Sequence, residues 1–270
     1  MIDWERVAHT QTGFVKFAYA KATEGLTYTD PLYTRNGEMT TWGIARGAYH
    51  YFHPRSSGIE QAKHFFFAIG REFDLPPALD LETSDGQSND RVVKEARAFL
   101  LEIEKLSGRR PIIYTSSGFW NASMLTGWPR KAPLWTNEYG LWIAHYTQAS
   151  QPTLPKGFDH WQFWQYTDSD HVEGVAGHVD GDRFNGTRAD FQAYLSGAHA
   201  PLKTTPTNQQ VINLFSKAFG LTYWPVIVRA GLSSIATKRG ALYSGKAFSK
   251  LPLSEADKQK LKSVAGEWWS

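Results

Sequence analysis

The segment Leu75-Pro-Pro-Ala-Leu-Asp-Leu-Glu82 sets two carboxyl groups two residues apart. In an extended strand that spacing puts Ala78, Asp80 and Glu82 on one face, with Leu79 and Leu81 on the other. The Cα atoms of the two acids then lie roughly 6.5–7 Å apart, so one ionised carboxylate raises the pKa of its neighbour. A proton-holding acid beside a carboxylate is what cleavage of a glycosidic bond requires. The plainer reading of the same three residues is an Asp and a Glu that cap the loop after a strand.

The other expected strand ends carry Tyr49, His50 and Tyr51; Tyr114; Trp142 and Tyr146; Trp164, Gln165 and Tyr166; and Asp180 with Asp182. Rings stack on the faces of pyranoses, and polar tips bond hydroxyl and acetamide groups, so these residues around a carboxylate pair would line a sugar cleft. Packing inside a barrel is the alternative for each ring.

Positioning such a set takes a parallel sheet. Phe14–Ala20, Ala45–Phe52, Ala78–Glu82, Pro111–Ser116, Leu141–Tyr146, Trp161–Thr167 and His178–Asp182 read as strands. Between them Asp90–Ser107 places Val93, Ala96, Leu100, Ile103 and Leu106 on one helical face and stops at Gly108. Ile59–Ile69 and Gly118–Leu125 are shorter helices, and Thr187 with Asp190 forms a capping box ahead of Arg188–Leu195. This alternation predicts an α/β fold, either a (β/α) barrel or a doubly wound sheet. In a barrel, the leucines of the 75–82 segment would face the helices. Both acids would then point inward at the strand's C-terminal end, where barrels build active sites.

The chain has 270 residues, of which 41% are hydrophobic and 20% charged, enough to bury a core and to exclude wholesale disorder. With no cysteine, disulfide scaffolds, thiolate zinc sites and a cysteine nucleophile are excluded. His50-x-x-His53 is not joined by a His-Glu-x-x-His run, and neither a Gly-x-Ser-x-Gly elbow nor a phosphate-binding glycine loop occurs. We therefore expect no metal and no cofactor. No apolar run approaches the roughly 18 residues of a transmembrane helix, and the first residues lack the pattern of a signal peptide. Charge is uneven: residues 201–270 carry +7 and the first 200 carry −4. A linker over 197–208 and a basic, mainly helical module over 209–270 (Gln209–Phe219, Tyr223–Ile235, Glu255–Val264) follow from that change.

The sequence resembles the glycoside hydrolase family 25 muramidases, lysozymes of bacterial cell walls. The matching stretches are Ile2-Asp-Trp, Lys21-Ala-Thr-Glu-Gly25, Gly47-Ala-Tyr-His-Tyr-Phe52, Asp80-Leu-Glu82, Pro111-Ile-Ile-Tyr-Thr-Ser116, Leu141-Trp-Ile-Ala-His-Tyr146, Phe163-Trp-Gln-Tyr166 and Val179-Asp-Gly-Asp-Arg-Phe184. They recur in order across residues 1–195. The resemblance implies a modified, TIM-like (β/α) barrel over residues 1–196 that cleaves the β-1,4 bond between N-acetylmuramic acid and N-acetylglucosamine. It implies Glu82 as general acid, with Asp80 steering the substrate acetamide or stabilising charge at the anomeric carbon. Asp180 would be a further acid, with Asp182 as second choice. Tyr49, Tyr114, Trp142, Tyr146, Trp164, Gln165, Asp182 and Glu24 form the expected substrate-binding set.

Members of the family begin with a strand resembling Gly-Ile-Asp-Val-Ser, shortly before the Ile-Asp-Trp stretch. Here the sequence opens directly at Met1-Ile2-Asp3-Trp4, so that strand and its Asp have no counterpart and the neighbouring strands are expected to show unpaired edges. The expectation is a peptidoglycan hydrolase acting at the bacterial wall, of a kind a phage lysin would be, with the basic module bound to anionic wall polymers. The rival is a catalytically weakened or inactive glycan-binding protein. A nucleic-acid binder driven by the basic tail is a third reading, but the tail contains no recognisable nucleic-acid module.

Overall fold

A computed structural model describes residues 2–10, 15–127 and 129–196. The expected linker and basic module lie outside the described residues, as does Phe14. Eight strands form one sheet: β1 (Phe17–Glu24), β2 (Tyr28–Thr29), β3 (Ala45–Tyr51), β4 (Ala78–Asp80), β5 (Ile112–Ser116), β6 (Gly140–Ala144), β7 (Phe163–Asp170) and β8 (Val179–Phe184). Their order is β2-β1-β3-β4-β5-β6-β7-β8. The pairs from β1 through β3 to β7 are parallel, while β2 on β1 and β8 on β7 are antiparallel. Six helices accompany them: α1 (Trp4–Ala8), α2 (Tyr33–Asn36), α3 (Gly58–Ile69), α4 (Asn89–Ser107), α5 (Ser117–Ser123) and α6 (Arg188–Leu195).

Alternation along each strand divides the apolar side chains between two layers. Leu79, Ile113, Leu141 and Ile143 leave the sheet on its outer face. There they meet Ala62, Phe65 and Ile69 of α3, and Val92, Ala96, Phe99, Leu100 and Ile103 of α4. On the inner face Ala45, Ala78, Ile112, Trp142 and Phe163 cluster with Phe191 and Tyr194 of α6. Phe17 of β1 lies 5.1 Å from Phe163 of β7, and Tyr19 lies 4.7 Å from Trp142 of β6, measured between ring centroids. Strands so far apart in the ladder touch only if the sheet curls, so the architecture is the expected modified barrel.

The curl does not close into a ring of hydrogen bonds. Among the described strands, β8 pairs only with β7, and β1 pairs only with β3 and, at Thr23 and Glu24, with β2. The facing edges of β1 and β8 border one cavity, with Ile2, Trp4 and Val7 around α1 on its wall. The loop before β8 is tied to α1 by the Asp3 amide, which donates to the Gly174 carbonyl (2.8 Å).

Helix ends follow the sequence signals closely. Ser88 caps α4 by accepting from the Arg91 amide, and Gly108 ends it in the left-handed conformation at φ 70°. The capping box of Thr187 and Asp190 is present at α6. Helix α4 buries Val92 and Phe99 along with Ala96, Leu100 and Ile103. Val93 and Leu106, expected on that face, are only partly buried, because the stripe is rotated toward α3.

Candidate active site

The C-terminal ends of the parallel strands open onto a cavity of about 1290 Å³. Strand β4 ends at Asp80, and Glu82 follows two residues later with the backbone still extended enough to keep both acids on the inner side. Asp80 is 7% exposed, and its Oδ1 is buried with no hydrogen-bond partner. Glu82 is exposed at the surface of the cleft.

Both carboxyls are pushed above the ordinary carboxylate range. For Asp80 the chief cause is burial, followed by the charge of Glu82, with Lys21 pulling the other way. For Glu82 partial burial dominates and Asp180 adds to it, while the Tyr51 hydrogen bond and the Lys21 charge oppose. Burial thus leads for both acids, and the charge of a neighbouring acid adds to it. The charge of Glu82 makes it harder for both acids to be ionised together.

Around these acids stand the rings and amide expected from the sequence. Tyr49, Tyr114, Trp142, Gln165, Asp180 and Asp182 all line the cavity with Asp80 and Glu82. The hydroxyls of Tyr114 and Tyr146 both donate to Gln165 Oε1, at 2.9 and 2.8 Å, which fixes the amide. Trp142 Nε1 donates to Asp182 Oδ1 at 2.6 Å. Burial raises the Asp182 carboxyl to about 7, although this hydrogen bond opposes the rise. Because β8 is antiparallel to β7, the beginning of β8 lies at the cavity mouth, and Asp180 is exposed there.

Two expected positions differ. Trp164 points to the outer face, 3% exposed, where its Nε1 donates to the His145 carbonyl (2.8 Å). It alternates with Gln165, so the two cannot both face the cleft. Glu24 is near the cavity rim, but both of its oxygens are held by the protein: Lys21 Nζ lies 2.5 Å from one and His53 Nε2 3.1 Å from the other. His50 also faces outward, bonded to Thr23 and Gln61 and stacked on Phe99. Burial pushes its pKa down to about 3, which keeps the ring neutral.

Sequence reasoning named Tyr51 among the strand-end rings but did not single out Lys21 as a site residue. Tyr51 shares the face of Tyr49, as alternation requires, and lines the cavity with it. No group of three or more His, Asp or Glu residues suited to a metal ion occurs among the described residues.

The description of glycosyl hydrolases family 25 matches residues 1–175. The YegX protein of Escherichia coli K12 is 36% identical over 209 residues, covering 76% of this chain and 71% of that protein. Lysozyme M1 of Streptomyces globisporus is 34% identical over 206 residues, covering 71% of this chain and 66% of that protein. The crystal structure of the bacterial lysozyme from Streptomyces coelicolor superposes with a TM-score of 0.63 at 32% identity, over 73% of this chain and 93% of that one. With its curled sheet, its paired acids and these relatives, the chain belongs to glycosyl hydrolase family 25 and is a glycosidase.

Proposed function

We propose that the protein is a muramidase that hydrolyses peptidoglycan at the bacterial cell wall, with Glu82 as the general acid. It cleaves the β-1,4 bond between N-acetylmuramic acid and N-acetylglucosamine. The observation that carries the reading is the placement of Asp80 and Glu82 together on the wall of one cavity, both carboxyls pushed above the ordinary range and Asp80 Oδ1 buried without a protein partner. A buried carboxylate oxygen is costly to leave unpaired, and an acetamido N–H of the substrate is the donor that would complete it. Its arrival stabilises ionised Asp80 and leaves the proton on Glu82. Glu82 then protonates the leaving oxygen as the anomeric carbon takes on oxocarbenium character, and water bonds that carbon in its place and returns a proton to the acid pair. Asp80 and Asp180 supply negative charge near that carbon. Tyr49, Tyr114, Trp142 and Gln165 offer the rings and the amide that hold the sugars, and Tyr146 fixes the amide from the rim.

The test is hydrolysis of purified peptidoglycan, read as new reducing ends. Glu82→Gln keeps the shape and loses the transferable proton, so it should abolish hydrolysis while wall binding persists. Asp80→Asn should fall by at least about 100-fold, a loss typical of an essential acid–base partner. A Glu82→Gln protein that works at the parent rate overturns the assignment. The glycan-binding alternative requires the parent itself to bind walls and release no reducing ends.

A further inference from the structure

A bulge in β1 creates an arrangement that the catalytic scheme above does not use. The ladder to β3 pairs Lys21 with Tyr49 and Thr23 with His50, which leaves Ala22 as an extra residue. Such a bulge re-aims the side chains on either side of it. Thr23 therefore faces outward and bonds His50 (2.7 Å), while Lys21 and Glu24 come together at 2.5 Å. From Glu24 the contacts continue to His53 Nε2 (3.1 Å), and from His53 Nδ1 to Asp85 Oδ1 (2.9 Å).

Asp85 lies three residues beyond Glu82 in the same loop. It is the one non-glycine residue with positive φ among the described residues, at 48°. Holding that conformation has a cost, and the Asp85 amide and carboxylate are anchored by Thr83, His53 and the Arg55 amide. Both ring nitrogens of His53 face carboxylate oxygens, which only accept, so both bonds form when the ring carries a hydrogen on each nitrogen. The contacts run without a break from Asp85 through His53 and Glu24 to Lys21. Lys21 lines the cavity with Asp80 and Glu82, and its Nζ lies 5.1 Å from the ring centroid of Tyr51, which lines the same cavity.

We propose that Lys21 is a positioning residue for the acid pair, held beside Asp80 and Glu82 by the chain Asp85–His53–Glu24, which begins in the loop that carries Glu82. The proposal rests on Glu82 being the acid. Its physical content is a fixed positive charge that sets how tightly the pair holds its proton and ties β1 to the β4 loop. The groups interacting with Glu82 include Asp80, Tyr49, Tyr51, Tyr114, Tyr146, Lys21 and Asp180; Glu24 acts on Asp80 as well. Among them Lys21 is the cation, and it favours ionisation of both acids.

The experiment is the pH profile of initial hydrolysis rate on soluble peptidoglycan fragments for the parent, Lys21→Met, Lys21→Arg and Glu24→Gln, with melting temperature recorded for each. Removing the cation raises both carboxyl pKa values. The acid limb, where Asp80 gains a proton, and the basic limb, where Glu82 loses one, should therefore both move up by roughly 0.5 to 1 in pH in Lys21→Met. Lys21→Arg should restore the parent limbs, and Glu24→Gln, which removes an anion that raises Asp80 as well as the Lys21 contact, should move the acid limb less than Lys21→Met does. A folded Lys21→Met protein whose limbs superpose on those of the parent overturns the proposal. So do Met and Arg variants that lose rate equally with unmoved limbs, since that is the signature of a merely structural role. An active Glu82→Gln protein would instead sink the acid assignment, whatever the limbs do.

Discussion

Asp182 shows what one buried carboxyl costs. Its pKa is raised to about 7, and burial is the main cause. The folded protein therefore binds this proton more tightly than the unfolded chain, where an Asp titrates near 3.9. Stability is lost as pH rises from about 4 to about 7 and stays lost above that. Asp182→Asn keeps the acceptor for Trp142 Nε1 and removes the charge, so it should raise stability at pH 8 by on the order of a few kcal/mol. The gain should vanish near pH 4. Thermal denaturation of parent and variant at both pH values checks this.

Among site residues, the Asp80 and Glu82 pair was legible because period-two alternation needs no tertiary information. The same rule, applied to Trp164 beside Gln165, would have excluded the tryptophan from the cleft. Lys21 and Glu24 were not legible as partners, because three-residue spacing in a regular strand sends them to opposite faces. Only the bulge at Ala22 brings them together.

At the scale of elements, periodicity and caps marked the longer pieces and passed over the shorter ones. Strands β3 to β8 and helices α3 to α6 lie within a few residues of their sequence limits, whereas β1 runs on to Glu24 instead of ending at Ala20. Helix α1 has five residues, too few to show a stripe, and the one local sign of it is Asp3, which accepts from the Arg6 amide as its cap. The two-residue β2 has no period at all and exists through its pairing with β1.

Close approach between elements is also invisible in a single sequence. Gly58 begins α3 where that helix meets α4, and its amide donates to Glu95 Oε2 (2.9 Å). A methyl group at position 58 would run into the Glu95 carbonyl, which belongs to the backbone of α4 and cannot step aside. Gly58→Ala should destabilise the protein by about 2–3 kcal/mol through overpacking. Urea unfolding should show a lower midpoint with an unchanged slope.

For the whole molecule, the charge division of the sequence leads to its own prediction. Residues 201–270 carry +7, and bacterial walls present anionic polymers. We propose that this part of the chain concentrates the enzyme on its substrate through multivalent attraction that salt weakens. The full chain should sediment with purified walls at low salt and release as salt rises, while a chain ending at residue 196 should sediment weakly at both. Equal sedimentation of the two would remove the anchoring role, and salt-indifferent binding of the full chain alone would point to its aromatic residues instead.

The unpaired edges of β1 and β8 have a mechanical consequence. A closed barrel is a hoop, and it can widen only by breaking rungs. Among the described strands this wall is a hoop cut between β1 and β8, and on its inner side the rings of Phe17 and Phe163 meet. Such a hoop can spread while its ladders stay intact. Asp180 stands on one lip of the cut and Lys21 on the other, with Asp80 and Glu82 on the arc between them. Spreading therefore changes the gauge of the working parts before it changes the fold.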